Sequence, residues 1–408
     1  MASKNVFTVL ALAGVPFLMV LGNSMLIPVL PDMKQALDIS QFKVSLVVTL
    51  FSIPAGLAIP LLGYLSDRFQ RKPIIIVALL VYALGGVIAG GAAIFLREAA
   101  YLVIMIGRVI QGIGAAGTAP LAMALAGDLY GGQERSKALG VLEAANGMGK
   151  VASPLLGSLV GMLSWWAVLF VFPVLALPIM AALWFGVKEP APKQQGRPFG
   201  EYLTALRGIF QQKGIFLLAL FFAGGTALFA LFGLLFYLSD YLETEYGMDG
   251  IVKGLVIAVP VLAMALTSYL TGLFMAKKRR LAKPFILGGL TLLAASTALL
   301  AFFARQIVLL IGLLVLGGIG TGMVLTNLNT LIASSCRTEE RGMITSLYGS
   351  VRFFGVAAGP PLFGLLMEKT LFWTFMLPAI LLVLLGLINL FTIRKKFDRC
   401  RKSPLKKC

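Results

Sequence analysis

GVLEAANGMGKVASPLLGS, Gly140 to Ser158, places a glutamate and a lysine inside a stretch whose other residues suit a lipid-embedded helix. An ionisable side chain at the bilayer centre costs about 2.5–3.5 kcal/mol on insertion scales, so such groups face protein interior or a water-filled cavity and invite a functional reading. Glu143 and Lys150 stand seven residues apart, two helical turns, and so share one face. Gly147, Gly149, Ser153 and Gly157 keep one side of the same helix thin, which lets a neighbour cross closely.

Outward from that stretch the composition sets the class. Of 408 residues 59% are hydrophobic and 13% charged, about half the charged share of a soluble chain. Apolar runs of the ~20 residues that span a bilayer recur twelve times, near 6–30, 42–66, 73–96, 100–127, 136–160, 163–187, 215–239, 250–276, 283–304, 306–333, 342–367 and 370–393. The expected fold is an all-α membrane protein with twelve transmembrane helices. The opening MASKNVFTVLALAG lacks a small-residue cleavage site and reads as the start of the first span.

The net charge of +18 does not mark a nucleic-acid binder, because most of the 35 Lys and Arg fall in loops on the side shared by both termini. That asymmetry is the positive-inside pattern and places both termini in the cytoplasm. The basic clusters at 277–280 and 394–407 then set orientation and touch anionic head groups. Cys336, Cys400 and Cys408 all fall on that reducing side, so no disulfide is expected. Histidine is absent, which leaves proton handling to carboxylates and makes an intramembrane metal or cofactor site unexpected. No phosphate-binding Gly-x-x-x-x-Gly-Lys-Ser/Thr loop and no nucleophile with a histidine base support an enzyme.

The chain repeats itself. Gly112-Ile113-Gly114 and Gly318-Ile319-Gly320 lie 206 residues apart, as do Glu134-Arg135 and Glu340-Arg341, and the loop Gly63, Arg68, Arg71 has a counterpart in Gly272, Lys277, Arg280. Two similar six-helix halves follow, 1–187 and 215–393, of the kind that rocks around a central site. Between them 188–214 reads as a cytoplasmic linker, with Tyr202, Leu203, Leu206, Ile209 and Phe210 on one face of a short interfacial helix. A basic tail, 394–408, closes the chain.

GYLSDRFQRKP, Gly63 to Pro73, resembles the cytoplasmic signature loop of the major facilitator superfamily, and RVIQGIGAA, Arg108 to Ala116, resembles that superfamily's fourth-helix motif. Gly140, Gly149, Pro154 and Gly157 stand at the spacing of the fifth-helix motif of its exporters. The resemblance spans the chain and implies two pseudo-symmetric bundles, a monomer, and export by proton antiport. It also implies that Asp67, Arg68, Arg71 and Asp128 gate the cytoplasmic side, and that the fifth helix crosses the eleventh, where Gly355, Gly359 and Pro360 recur, to form a hinge. Three positions depart from the pattern: Gln70 and Ser153 replace glycines, and Asn23 is the nearest polar residue where many drug exporters carry a first-helix acid.

Of the 17 acids only Glu143 falls well inside a span, so it is the expected proton carrier, with Arg108 or Lys150 as the cation whose movement switches it. A permanent Glu143–Lys150 structural pair is the competing reading. Lys150, Arg352, Asn146, Asn23, Asn327, Met123 and Phe353 are the candidate substrate contacts; Asn23 serves equally as a helix-to-helix hydrogen bond. If Arg108, Lys150 and Arg352 face one cavity with Glu143, the positive excess favours anionic or polyphenolic amphipaths, aromatic siderophores among them. A neutral-drug exporter, a lipid flippase and a non-transporting sensor are the alternatives. Small-molecule substrate, protons and membrane lipids are the expected partners, in a bacterial plasma membrane.

Overall fold

The computed structural model describes residues 3–189, 199–277, 281–335 and 338–402, and the side chain of Asp67 and those beyond Ile393 lie outside the described part. The cysteines at 336, 400 and 408 and most of the two basic clusters fall outside it as well. Every described element is helical. The first span is α1 (Ser3–Ser24), a 3-10 turn (Ile27–Val29) and α2 (Leu30–Ala36), broken where Pro28 and Pro31 remove backbone donors. Then come α3 (Gln41–Arg68), α4 (Arg71–Phe95), α5 (Ala100–Ala116) with α6 (Ala119–Leu129), α7 (Gly132–Gly161) and α8 (Ala167–Gly186).

The second half comprises α9 (Phe199–Tyr246), α10 (Gly250–Lys277), α11 (Ala282–Phe303), α12 (Ile307–Ser335), α13 (Thr338–Met367) and α14 (Leu371–Lys402). Among the described residues eleven helices are long and apolar enough to cross a membrane. The twelfth spanning helix is α7, 30 residues long, whose hydropathy is lowered by Glu143, Asn146 and Lys150. An even number of spans returns both termini to one face, called here the terminal face; the other is the far face.

Each half has the same internal order of packing. In the first, α4 packs on α5 and α8; in the second, α11 packs on α12 and α14. The repeated glycines explain why. A Cβ at Gly112 would overlap the Phe51 carbonyl oxygen on α3, and one at Gly318 would overlap the Pro260 carbonyl oxygen on α10. Backbones approach this closely only where no side chain intervenes. The first core centres on Phe51, Tyr82 and Phe172, stacked edge to face at 6.4 and 5.8 Å between ring centres. The second carries the edge-to-face series Phe229, Phe363 and Phe375 at 6.1 and 6.3 Å.

Two features depart from the expectation. The interfacial helix is not a separate element, because α9 runs unbroken for 48 residues, and its Leu206, Ile209 and Phe210 pack into the second core with Ile286, Ile344 and Ile393 instead of resting on lipid. In addition, the compact unit built on residues 1–196 includes residues 235–258, the far-face ends of α9 and α10, while 197–234 and 259–408 form the other unit. The Ser239 hydroxyl donates to the Ile27 carbonyl at 2.8 Å, and Gly254 sits against Ser158 and the Pro154 carbonyl of α7.

Candidate substrate and proton site

Arg108 is fully buried on α5. Its guanidinium donates to the Val47 carbonyl at 3.0 Å, to the Gly22 carbonyl at 2.9 Å and to the Gln111 side chain, and lies 4.4 Å over the Phe51 ring. Carbonyls and an aromatic face compensate the charge without a carboxylate. Tyr82 completes the cluster by donating to the Leu18 carbonyl at 3.2 Å. Arg108 thus ties α1, α3 and α5 together, contacts neither Glu143 nor open space, and drops out of the set expected to line a shared cavity. The reason is local: Gly22 and Gly112 let main-chain oxygens come within its reach.

Glu143 lies on the opposite kind of surface. Along α7, Leu142, Gly149, Ser153 and Gly157 are buried, whereas Gly140, Glu143 and Ala144 are exposed. A Cβ on Gly140 or Gly147 would meet nothing within 4 Å. Among the described residues Glu143 makes no hydrogen bond or ion pair, so a permanent pair with Lys150 is not formed; Lys150 and Asn146 are half-buried further along the helix. Asn23, beside Gly22, is buried with its Oδ1 lacking a donor, and Met123 is half-buried on α6.

In the second unit Arg352 lies 5.6 Å from the Tyr348 ring, with its Nε and the Tyr348 hydroxyl both buried and unpartnered. Phe353 next to it is buried. Asn327 turns back on its own helix, donating to the Met323 carbonyl at 2.7 Å, with its Oδ1 unpartnered. These orphaned polar atoms are groups that a polar ligand can satisfy.

The thin helix faces serve their own halves. Gly149 of α7 meets the Phe17 carbonyl and Gly157 the Met25 carbonyl, both of the first span, while Gly355 and Gly359 of α13 meet the Gly225 and Phe229 carbonyls of α9. Within the halves these glycines make a first-to-fifth and a seventh-to-eleventh crossing. Pro154 and Pro360 lie within these helices beside the same contacts.

At the terminal face Arg71 and Asp128 form an ion pair, as their loop positions foretold. Arg68 stands apart from it, exposed at the rim of an apolar groove of about 730 Å³ lined by Leu62, Ile74, Val77 and Ile113. Two partners were not anticipated. Glu189 accepts the backbone N–H groups of Arg71 and Lys72, each at 2.8 Å, capping α4, and the Lys72 ammonium donates to the Trp184 and Val187 carbonyls at the end of α8. An acid just past one helix and a base at the start of another is a signal the sequence does carry.

A bundle of two repeated six-helix halves with charged groups held inside the first defines a secondary-transporter architecture. The chain belongs to the Major Facilitator Superfamily, whose profile matches residues 12–282 and 229–405. It is 40% identical over 97% of its length, and 98% of the other's, to a protein of Bacillus subtilis described as a bacillibactin exporter. It is also 23% identical, over 96% of its length and 98% of the other's, to the multidrug efflux pump SdrM of Staphylococcus aureus. Two solved structures share the fold: a bacterial homolog of the human lysosomal transporter Spinster (TM-score 0.77, 17% identity, 97% and 98% coverage) and a D-xylose-proton symporter (0.76, 15%, 95% and 97%). The protein is a multi-pass membrane transporter of small molecules, with bacterial exporters among its relatives.

Proposed function

We propose that this protein exports a small aromatic, anionic siderophore across the bacterial plasma membrane in exchange for protons, with both termini in the cytoplasm. The observation that carries the reading is the end-to-end similarity to the bacillibactin exporter, at an identity well above that of the drug-pump relative. The residues are compatible with such a substrate: Arg352 offers a half-buried cation with a buried, unpartnered Nε beside Tyr348 and Phe353, and Lys150 adds a second base. An anionic polyphenol would satisfy both charge and ring faces.

Glu143 is the proton carrier in this scheme. It is the acid of α7 that lies within the span and is left uncovered by packing, so water reaches it in one state and its surroundings change in another. Asp67, Arg68, Arg71 and Asp128 act as the cytoplasmic gate, with the Arg71–Asp128 pair as its formed contact. The transporter works as a monomer.

Inside-out vesicles loaded with a pH dye test this directly. A catecholate siderophore should enter the lumen with a rise in lumen pH, a neutral lipophilic dye should enter far less, and Glu143→Gln should abolish the pH rise while leaving the protein in the membrane. Full substrate-coupled proton movement in Glu143→Gln would remove Glu143 from the mechanism, and equal transport of neutral and anionic compounds would remove the substrate assignment.

A further inference from the structure

The far face of the first unit holds a second set of charges that the scheme above leaves unused. Lys253, in the first turn of α10, is 2% exposed and bonded to Glu243 of α9 at 2.5 Å. Gly254 draws this turn against α7 and buries the lysine. One turn before Glu243, Asp240 is half-buried, and the one side-chain partner of its carboxylate among the described residues is the neutral amide of Gln41 on α3, whose Nε2 donates at 3.0 Å. Gln41 is itself 5% exposed, and the Oε1 of that same amide is buried without a donor. Gln35 of α2 adds a bond to Glu243 at 3.3 Å.

The charge balance is uneven. Glu243 of α9 lies within electrostatic reach of both Asp240 and Asp32 of α2, and Asp249 before α10 within reach of Asp32; Lys253 of α10 faces Asp32 and Asp240, and Lys34 of α2 faces Asp240. Four carboxylates thus share two cations, and Asp240 has neither cation in contact. Asp240 is also the acid paired with an amide that has an acceptor to spare, and an acceptor without a donor is what a carboxyl O–H would satisfy.

Resting on the export reading, we propose that Asp240 is a proton-binding site on the outer face, filled from external water when residues 235–258 close onto α2 and α3. The carboxylate takes one proton and becomes neutral, the Gln41 amide bonds the acid in either orientation, and one like charge leaves the cluster. When this closure opens, Asp240 separates from Gln41 and Glu243, returns to water and ionises. Because the closed arrangement binds the proton more tightly, linkage makes external acid favour closure and alkali favour opening. An exporter that admits protons from outside gains from such a site, since proton arrival itself closes the outer face after substrate has left.

The test uses the full chain in lipid nanodiscs, with Cys336, Cys400 and Cys408 replaced by Ser and a reporter at Ser239→Cys, read as maleimide labelling relative to an exposed reference at Glu98→Cys. Between pH 8 and pH 6 relative labelling should fall roughly threefold or more, the ceiling for one linked proton being about tenfold per pH unit. Asp240→Asn should hold labelling low and flat. Gln41→Leu, which removes both the donor that holds the carboxylate and the acceptor that would hold the protonated acid, should shift the midpoint, and it decides the question if Asp240→Asn does not fold. A wild-type slope in folded Asp240→Asn, or an unmoved midpoint in Gln41→Leu, overturns the proposal. The readout needs no substrate, so a pH response that depends on Asp240 together with absent siderophore export would remove the export reading and leave the site standing.

Discussion

The two halves repeat their packing but not their chemistry. Gly112 and Gly318, 206 residues apart, each press against a main-chain carbonyl of a neighbouring helix, and Gly149 and Gly355 do the same on α7 and α13. At the same offset, however, Leu314 stands in place of Arg108, Gly349 in place of Glu143, Val356 in place of Lys150 and Ser334 in place of Asp128. Leu314 and Val356 are buried among apolar neighbours. Backbone-to-backbone contacts are thus what a six-helix half needs to form, while the charges at these four positions are additions to one copy. Charges held at these positions in one half only have a reason other than folding.

The sharpest way to break this comparison is to fill the shared contacts. Gly112→Ala and Gly318→Ala should each lose about 3 kcal/mol or more, because the new methyl meets backbone that cannot rotate away. Thermal unfolding in detergent, followed by loss of helical signal or by thiol exposure, should show similar drops for the two. Gly355→Ala should be as severe, whereas Gly149→Ala should be milder, since its Cβ would lie 3.0 Å from the Phe17 carbonyl. Unequal losses at Gly112 and Gly318 would mean that the halves do not share one packing rule.

These contacts were legible because glycine spacing is a backbone constraint written directly in the sequence, and the twelve runs were legible because bilayer thickness fixes their length. The Arg71–Asp128 pair was equally open to reading, since both residues end neighbouring spans on one face. The surroundings of Arg108 were not. Its partners at Val47 and Gly22 are carbonyl oxygens, and every residue carries one, so nothing in the sequence singles them out. The far-face cluster stayed hidden for a different reason: Gln41 and Asp240 are 199 positions apart and meet only through tertiary packing, and Lys253, at the edge of its span, carries no sign of burial in the sequence. The glycines of α7 were legible as a thin face, but their contacts with the Phe17 and Met25 carbonyls were not, because spacing marks a close crossing without naming which helix makes it.

A second test gives the first half the chemistry of the second. Arg108→Leu places there the residue found at 314, removing a buried charge whose partners are mostly carbonyls already engaged in helices. Replacing buried charge by apolar volume is often near neutral for stability. The Gln111 acceptor left behind costs about 1–2 kcal/mol, less than either glycine change. Export should nonetheless fall at least tenfold, which separates what the residue does for transport from what it does for folding. A stability loss equal to that of Gly112→Ala would instead make Arg108 part of the packing frame.

The smallest effect is expected at the terminal face, where the first half has Asp128 and the second Ser334. The Asp128 side chain is 57% exposed, so its pair with Arg71 is screened by water and contributes less than about 1 kcal/mol to stability. Asp128→Asn should therefore leave thermal unfolding unchanged within error. Glu189 continues to hold the backbone N–H groups of Arg71 and Lys72, so the helix start does not fray in that variant. If the pair works as a gate contact, its loss shows in accessibility: a cysteine at Ser66, buried one turn before the loop, should label a few-fold faster in Asp128→Asn than in the parent. Glu189→Gln keeps the Arg71–Asp128 attraction and weakens the cap, and so should move stability more than accessibility. The opposite ranking of the two variants would assign the gate to the cap and leave the ion pair as an ordinary surface contact.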